Sequence, residues 1–198
     1  MATFNPKDSR EGYLSKLIYG GRTYYYTYTT SDPAEIRSAH STAFGYGLWS
    51  RTYFGFNTSS LAGAPIASAT LKLYMYHDGS TATSSLYLYV GQGILHDPLN
   101  AADWNAYVGM TQFETLATST LSTDSANPTL VQKSVPVAQV NTSGWTDFCL
   151  RNPRGDTVTT YTFLDKMYTT NNSDSSLWPV LEVVTASGER RIFHAVHQ

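Results

Sequence analysis

The chain has 198 residues, of which 41% are hydrophobic and 14% charged, with a formal net charge of -2, 15 tyrosines and a single cysteine. A β-rich chain of this length forms one domain as a rule and can bury a substantial core. The near-neutral balance lacks the long-range attraction to phosphate of a nucleic-acid binder, one cysteine excludes an internal disulfide framework, and the polar opening predicts neither a secretory leader nor a membrane span.

Residues 1–10 read as an N-terminal arm, with Pro6 unsuited to a central strand. A strand over 11–19, the pair Gly20-Gly21 and a second strand over 22–30 form a hairpin signature that places Tyr24, Tyr26 and Tyr28 on one face. Ser31-Asp32-Pro33 ends it. The stretch 34–47 is mixed, with Phe44-Gly45-Tyr46-Gly47 as a loop leading into a strand through Trp49 to Phe56. Beyond a break at 57–65, Leu71, Leu73 and Met75 alternate with Lys72, Tyr74 and Tyr76, and Leu86, Leu88 and Val90 alternate with Tyr87 and Tyr89. Each segment therefore has an aliphatic and a tyrosine face. The polar linker 77–85, with Asp78-Gly79 in it, predicts a hairpin that pairs the two segments and gathers Tyr74, Tyr76, Tyr87 and Tyr89 on one face.

Further on, 91–99 is loop, and Asn100 caps one or two helical turns over 100–107. Strands over 112–117, 130–140, 145–151, 158–164 and 179–185 follow, separated by turn formers such as Asn152-Pro153-Arg154-Gly155-Asp156 and the polar 169–176. Short strands with turn signals about 8–12 residues apart are the all-β pattern. After a turn at Ser187-Gly188, the run with Arg190, Arg191, Phe193 and His194 is either an extra edge strand or a tail that docks on another subunit by strand addition. The expected fold is thus a single-domain, all-β, antiparallel β-sandwich over 11–185, jelly-roll-like, with at most one short helix near 100–107. An N-terminal arm (1–10) and a C-terminal extra strand or arm (186–198) flank it.

Several residues carry a resemblance. Phe54, Phe56, Leu61, Ile66 and the run Ser68-Ala69-Thr70-Leu71-Lys72-Leu73-Tyr74 resemble the F-x-L, I-x-S-A-T-L-x-L-Y core of DNRLRE-type domains. Gly12-Tyr13-Leu14-Ser15 resembles their opening strand, Val135-Pro136-Val137 and Trp145-Thr146-Asp147-Phe148-Cys149-Leu150-Arg151 their late strands, and Trp178-Pro179-Val180-Leu181-Glu182-Val183 their closing one. The resemblance implies a jelly-roll-like β-sandwich of the kind found in secreted polysaccharide-acting proteins and in phage structural proteins. Such motifs are mostly core residues, which speak to fold rather than activity.

No catalytic constellation stands out. Glu11, Glu35, Glu114, Asp103 and Asp165 are available for paired-carboxylate hydrolysis, but no spacing singles out two of them. Cys149, within a strand-like run, reads as a small buried hydrophobe. His40, His77, His96, His194 and His197 lack metal spacing, except that His194 and His197 are three apart, which on a strand sets them on opposite faces. Asp78-Gly79-Ser80 and Asn171-Asn172-Ser173-Asp174 offer oxygen ligands to calcium without a calcium-loop pattern, so no cofactor is expected, with calcium held in one of these loops as the alternative. Tyr74, Tyr76, Tyr87 and Tyr89 with Tyr24, Tyr26 and Tyr28 form a second packed layer if a facing sheet or the tail covers them; left exposed, they are the candidate interaction surface, because tyrosine supplies contact area with a polar tip. These readings predict a non-catalytic structural or adhesive protein, a phage virion component such as a capsid decoration or tail accessory protein. Its expected partners are other virion proteins, copies of itself and surface glycans, not nucleic acid or membrane. The alternative is a carbohydrate-binding module of a secreted polysaccharide-acting enzyme.

Overall fold

The computed structural model describes residues 10–29, 32–41, 46–79, 81–153 and 162–195. The arm over 1–9, Phe44-Gly45, Ser80, Arg154-Gly155-Asp156, the opening of the strand expected from 158, and His197 lie outside the described residues. In chain order the strands are β1 Gly12–Tyr19, β2 Arg22–Tyr28, β3 Ala34–Ser41, β4 Tyr46–Asn57, β5 Ile66–His77 and β6 Ser85–Gln92. Then come β7 Thr111–Ala117, β8 Thr129–Ser134, β9 Trp145–Arg151, β10 Phe163–Met167, β11 Val180–Thr185 and β12 Arg190–His194.

Two long strands organise the rest. Ser50 of β4 faces Ser15 on one side and Arg37 on the other, and Thr52 faces Tyr13 and Leu150. So β1 takes one edge of β4, while β3 and then β9 share the other. In β5, Lys72 lies between Val180 and Gln132, and Met75 between Met167 and Thr129. Hence β8 takes one edge of β5, and β11 and then β10 share the other. With β10 also paired to β3, the strand path β12-β11-β5-β10-β3-β4-β9-β6-β7 is one open antiparallel sheet that folds over on itself. It makes the expected all-β sandwich, with β5, β8, β11 and β12 in one layer and β4, β9, β6 and β7, continued by β1 and β2, in the other.

The alternating faces explain the packing. Leu71, Leu73 and Met75 of β5 meet Leu86, Leu88 and Val90 of β6, all at most 1% exposed, across the space between the layers. Phe54 stacks on Phe148 at 5.4 Å, and Phe56 sets its edge against both rings at 5.9 and 5.6 Å. Each such side chain contributes about 1.5–3 kcal/mol by leaving water.

This packing corrects the expected central hairpin. β5 and β6 do not pair: they lie in opposite layers, with residues 78–79 and 81–84 on the crossover between them. That crossover is tied to β10 and the residue before it, through Asp78 N–H to Leu164 O at 2.9 Å and Ala82 N–H to Thr162 O at 3.0 Å. Two strands with one aliphatic face each can bury it side by side or face to face, and their own alternation is the same in both cases.

Other boundaries differ for local reasons. β3 occupies the stretch read as mixed, because uncharged Ala34, Ile36 and Ser38, all 0% exposed, alternate with the half-buried Glu35 and Arg37. β8 stops at Ser134, before Pro136 and a 3₁₀ turn at Val137–Gln139. β10 runs on to Met167. The expected helix is a 3₁₀ segment, Ala101–Gly109, with Asn100 at its cap. Asn100 Oδ1 accepts from the Ala102 N–H, and Asp103 Oδ2 accepts from the Asn100 N–H, both at 2.9 Å. Single 3₁₀ turns also occur at Ser59–Leu61, Thr118–Thr120 and Ser175–Leu177.

Candidate functional site

The hairpin of β1 and β2 follows from its turn. Gly20 and Gly21 adopt φ of 57° and 75°, the left-handed pair that lets two twisted strands close through two residues. Tyr24, Tyr26 and Tyr28 project from one face of β2, as expected, and are 39%, 43% and 38% exposed. The Tyr28 ring stacks on Tyr13 of β1 at 4.4 Å and lies 6.5 Å from Tyr26, so the three rings form a short aromatic row. Tyr25 projects from the other face, 5.8 Å from Trp104. Every residue of β2 is exposed, and among the described residues β2 pairs with β1 alone.

The other four tyrosines do not join this row or one another. Since the aliphatic faces of β5 and β6 meet in the core, Tyr74 and Tyr76 look out from one layer and Tyr87 and Tyr89 from the other. All four are half-buried. Tyr76 packs 5.7 Å from Tyr168, with the Lys166 ammonium 5.9 Å away, and desolvation pushes its phenol up to about 12. Tyr89 sets its edge against Tyr107 at 5.5 Å.

Around Tyr89 lies a second core that the sequence reading missed. The 94–110 segment covers the outer face of β1, β4, β9 and β6, packing Leu95, Leu99, Trp104 and Met110 against Leu14, Trp49, Tyr53 and Cys149. Arg51, 1% exposed, lies 4.0 Å from the Trp104 ring and 4.6 Å from Tyr107, while Arg151 approaches Tyr107 at 4.2 Å. Arg51 Nη1 donates to the Trp104 carbonyl, which also accepts the Tyr53 hydroxyl at 2.8 Å. Cys149 is fully buried here, and burial pushes its thiol up to about 12, so it is protonated and unreactive at neutral pH. The sequence signal was an arginine heading an aromatic run, beside a lone tryptophan in a capped turn.

The C-terminal residues Arg190, Arg191, Phe193 and His194 lie in β12, the extra strand that is one of the two expected alternatives. β12 pairs with β11, and Arg190 grips Glu182 through Nε and Nη2, both at 2.8 Å, beside Lys72 at 3.0 Å. Those hydrogen bonds draw the Glu182 carboxyl down to about 2. Arg191 bonds Glu189 and the Ser60 carbonyl, Phe193 packs on the main core, and the His194 ring lies 6.2 Å from Trp178.

The candidate carboxylates are scattered over different partners. Glu35 pairs with Arg37 at 3.5 Å and Glu114 with Lys133 at 3.4 Å. Asp103 holds His96 at 2.7 Å, and Asp165 holds His77 at 2.8 Å. Glu11 accepts hydrogen bonds from Thr170. In the 171–174 loop, Asn172 bonds Asp32 at 2.6 Å and Asp174 accepts from Ser176. No group of three or more His, Cys, Asp or Glu gathers as a metal site among the described residues, and none of their helices is long and apolar enough to cross a membrane.

No family model matches the chain, and no curated protein matches it.

Proposed function

We propose that this chain is a non-catalytic structural and adhesive protein, a phage virion component of the decoration or tail-accessory kind, that works through its tyrosine-rich hairpin. The observation that carries the reading is β2, with all seven residues exposed and Tyr24, Tyr25, Tyr26 and Tyr28 among them. An exposed aromatic edge is expensive to leave in water and marks a contact surface. The DNRLRE-like core residues supply the link to virion proteins. The second reading, a carbohydrate-binding module, draws on the row of Tyr13, Tyr28 and Tyr26, whose rings suit stacking on sugar rings.

The test compares the wild-type chain with a variant carrying Tyr24→Ser, Tyr26→Ser and Tyr28→Ser. Co-sedimentation with purified tailed-phage virions that the variant loses supports the virion reading. Hits on a glycan array that the variant loses move the reading to the binding module. Equal association of both proteins with every probe, or turnover of a polysaccharide, overturns it.

A further inference from the structure

We propose that β2 pairs with β2 of a second copy of this chain, antiparallel about a twofold axis through Tyr25, so that the layer continues across a dimer. The inference rests on reading the tyrosine hairpin as a contact surface and names its partner.

The backbone supplies the first argument. In a hairpin closed through two residues, the flanking pair Tyr19 and Arg22 is hydrogen-bonded, and so, by alternation, are Leu17 with Tyr24, Ser15 with Tyr26 and Tyr13 with Tyr28. Thr23, Tyr25 and Thr27 therefore turn their N–H and C=O groups away from β1, to an edge that no other strand meets among the described residues. A strand edge of this kind is a template for another strand.

The side chains supply the register. The segment Thr23-Tyr24-Tyr25-Tyr26-Thr27 reads the same in both directions. Centred on Tyr25, it sets Thr23 against Thr27, Tyr24 against Tyr26 and Tyr25 against itself, and it is the register that pairs β2 along its whole length. The three outward-facing residues then meet one another across the axis, each pair exchanging both backbone hydrogen bonds. Arg22, the one charge on the strand, falls opposite Tyr28 of the second copy, where a guanidinium meets a ring instead of a like charge. The other edges are defended differently: β12 carries Arg190 and Arg191, β7 carries Glu114 and β8 carries Lys133. β2 has no charge in its middle.

The size of the contact sets its strength. A tyrosine can bury about 150–250 Å². The four on β2, at 38–45% exposure, offer two copies roughly 500–800 Å² before the threonines and backbone are counted. That is the range of a weak interface, so the dimer should dissociate on dilution.

Sedimentation equilibrium of the full chain across the micromolar to millimolar range tests this. The expected result is a reversible shift from one to two chains. Tyr25→Pro removes an outward N–H without touching the ladder to β1 and should weaken the dimer at least about thirtyfold. Single cysteines test the register. Tyr25→Cys lies on the axis, at about 5.5 Å between Cα atoms, and should cross-link under oxidised glutathione. Thr23→Cys alone should not, whereas Thr23→Cys combined with Thr27→Cys should. Buried Cys149 stays silent throughout.

A monomer at every concentration, a Tyr25→Pro dimer as tight as wild type, or Thr23→Cys cross-linking as fast as Tyr25→Cys overturns the proposal. Should Tyr25→Pro lose its near-ultraviolet circular dichroism, the cysteine variants decide. A monomer that still binds virions or glycans through the three tyrosines removes the dimer and keeps the contact surface. A dimer that binds neither does the reverse.

Discussion

Glu11 makes the fold weaken as the solution becomes less acidic. It stands just before β1 and is 0% exposed, with Oε2 accepting the Thr170 N–H at 2.9 Å and the Thr170 hydroxyl. Burial dominates and raises its carboxyl from 4.5 to about 7; the Thr170 hydrogen bonds oppose this, and Asp32 adds a smaller upward push. Between pH 4.5 and about 7 the folded chain holds a proton that the unfolded chain releases, so stability falls as pH rises through that window and levels off above it. At about 1.4 kcal/mol per pH unit, the loss amounts to about 3 kcal/mol. Glu11→Gln keeps an oxygen for Thr170 and never ionises. Urea unfolding followed by tryptophan fluorescence should find the variant as stable as wild type at pH 4.5 and about 3 kcal/mol more stable at pH 8. In a chain of this size the melting temperature at pH 8 should rise by roughly 6–12 °C. Asp165, raised to about 6, and Asp147, also raised, both chiefly by burial, shift stability in the same direction, so a shallower slope should survive in the variant. Wild-type stability that is flat or increasing from pH 4.5 to 8, or a variant no more stable at pH 8, would refute the burial argument.

Arg51→Lys should cost about 2 kcal/mol in the same urea assay, because an ammonium cannot lie flat between the Trp104 and Tyr107 rings while donating to the Trp104 carbonyl. Leu73→Ala, at a 0% exposed position between the layers, should cost about 2–5 kcal/mol and leave the association of the hairpin unchanged in whatever chain remains folded. A disulfide reagent at pH 8 should label Cys149 only as fast as the chain opens, with rapid labelling in 6 M urea as the control.

What could be read from the sequence was local. The alternation at 71–76 and 86–90, the paired glycines at 20–21 and Asn100 at the head of a capped turn each depend on neighbours within a few residues, and each element is where expected. Partner choice is a long-range property. Nothing in the alternation of β5 shows that its edges belong to β8, β10 and β11 rather than to β6. The same limit hid the second core: Arg51 is covered by Trp104, fifty-three residues on, and an arginine at the head of an aromatic strand otherwise reads as solvent-facing. On the two tyrosine faces, the inference failed where it depended on strand pairing and succeeded on β2, where the faces follow from the hairpin itself.

The low charge of the chain makes the position of each charge informative. The ion pairs of Glu182 with Lys72 and Arg190, of Glu189 with Arg191 and of Glu114 with Lys133 lie on or beside β12, β7 and β8, each paired along one edge only among the described residues. Arg10 and Arg51 lie on aromatic rings, over Trp145 and Trp104, where they support packing. Charges on free edges oppose unwanted strand pairing, and on these strands they do so while neutralising one another. β2 departs from that pattern, with threonines and tyrosines where the other edges carry ions. An edge with no charge in its middle is stable in water only while its exposed area stays small or a partner covers it. Four tyrosines on seven residues exceed the first condition, which leaves the second as the physical reason to look for an occupant at β2 before any other surface.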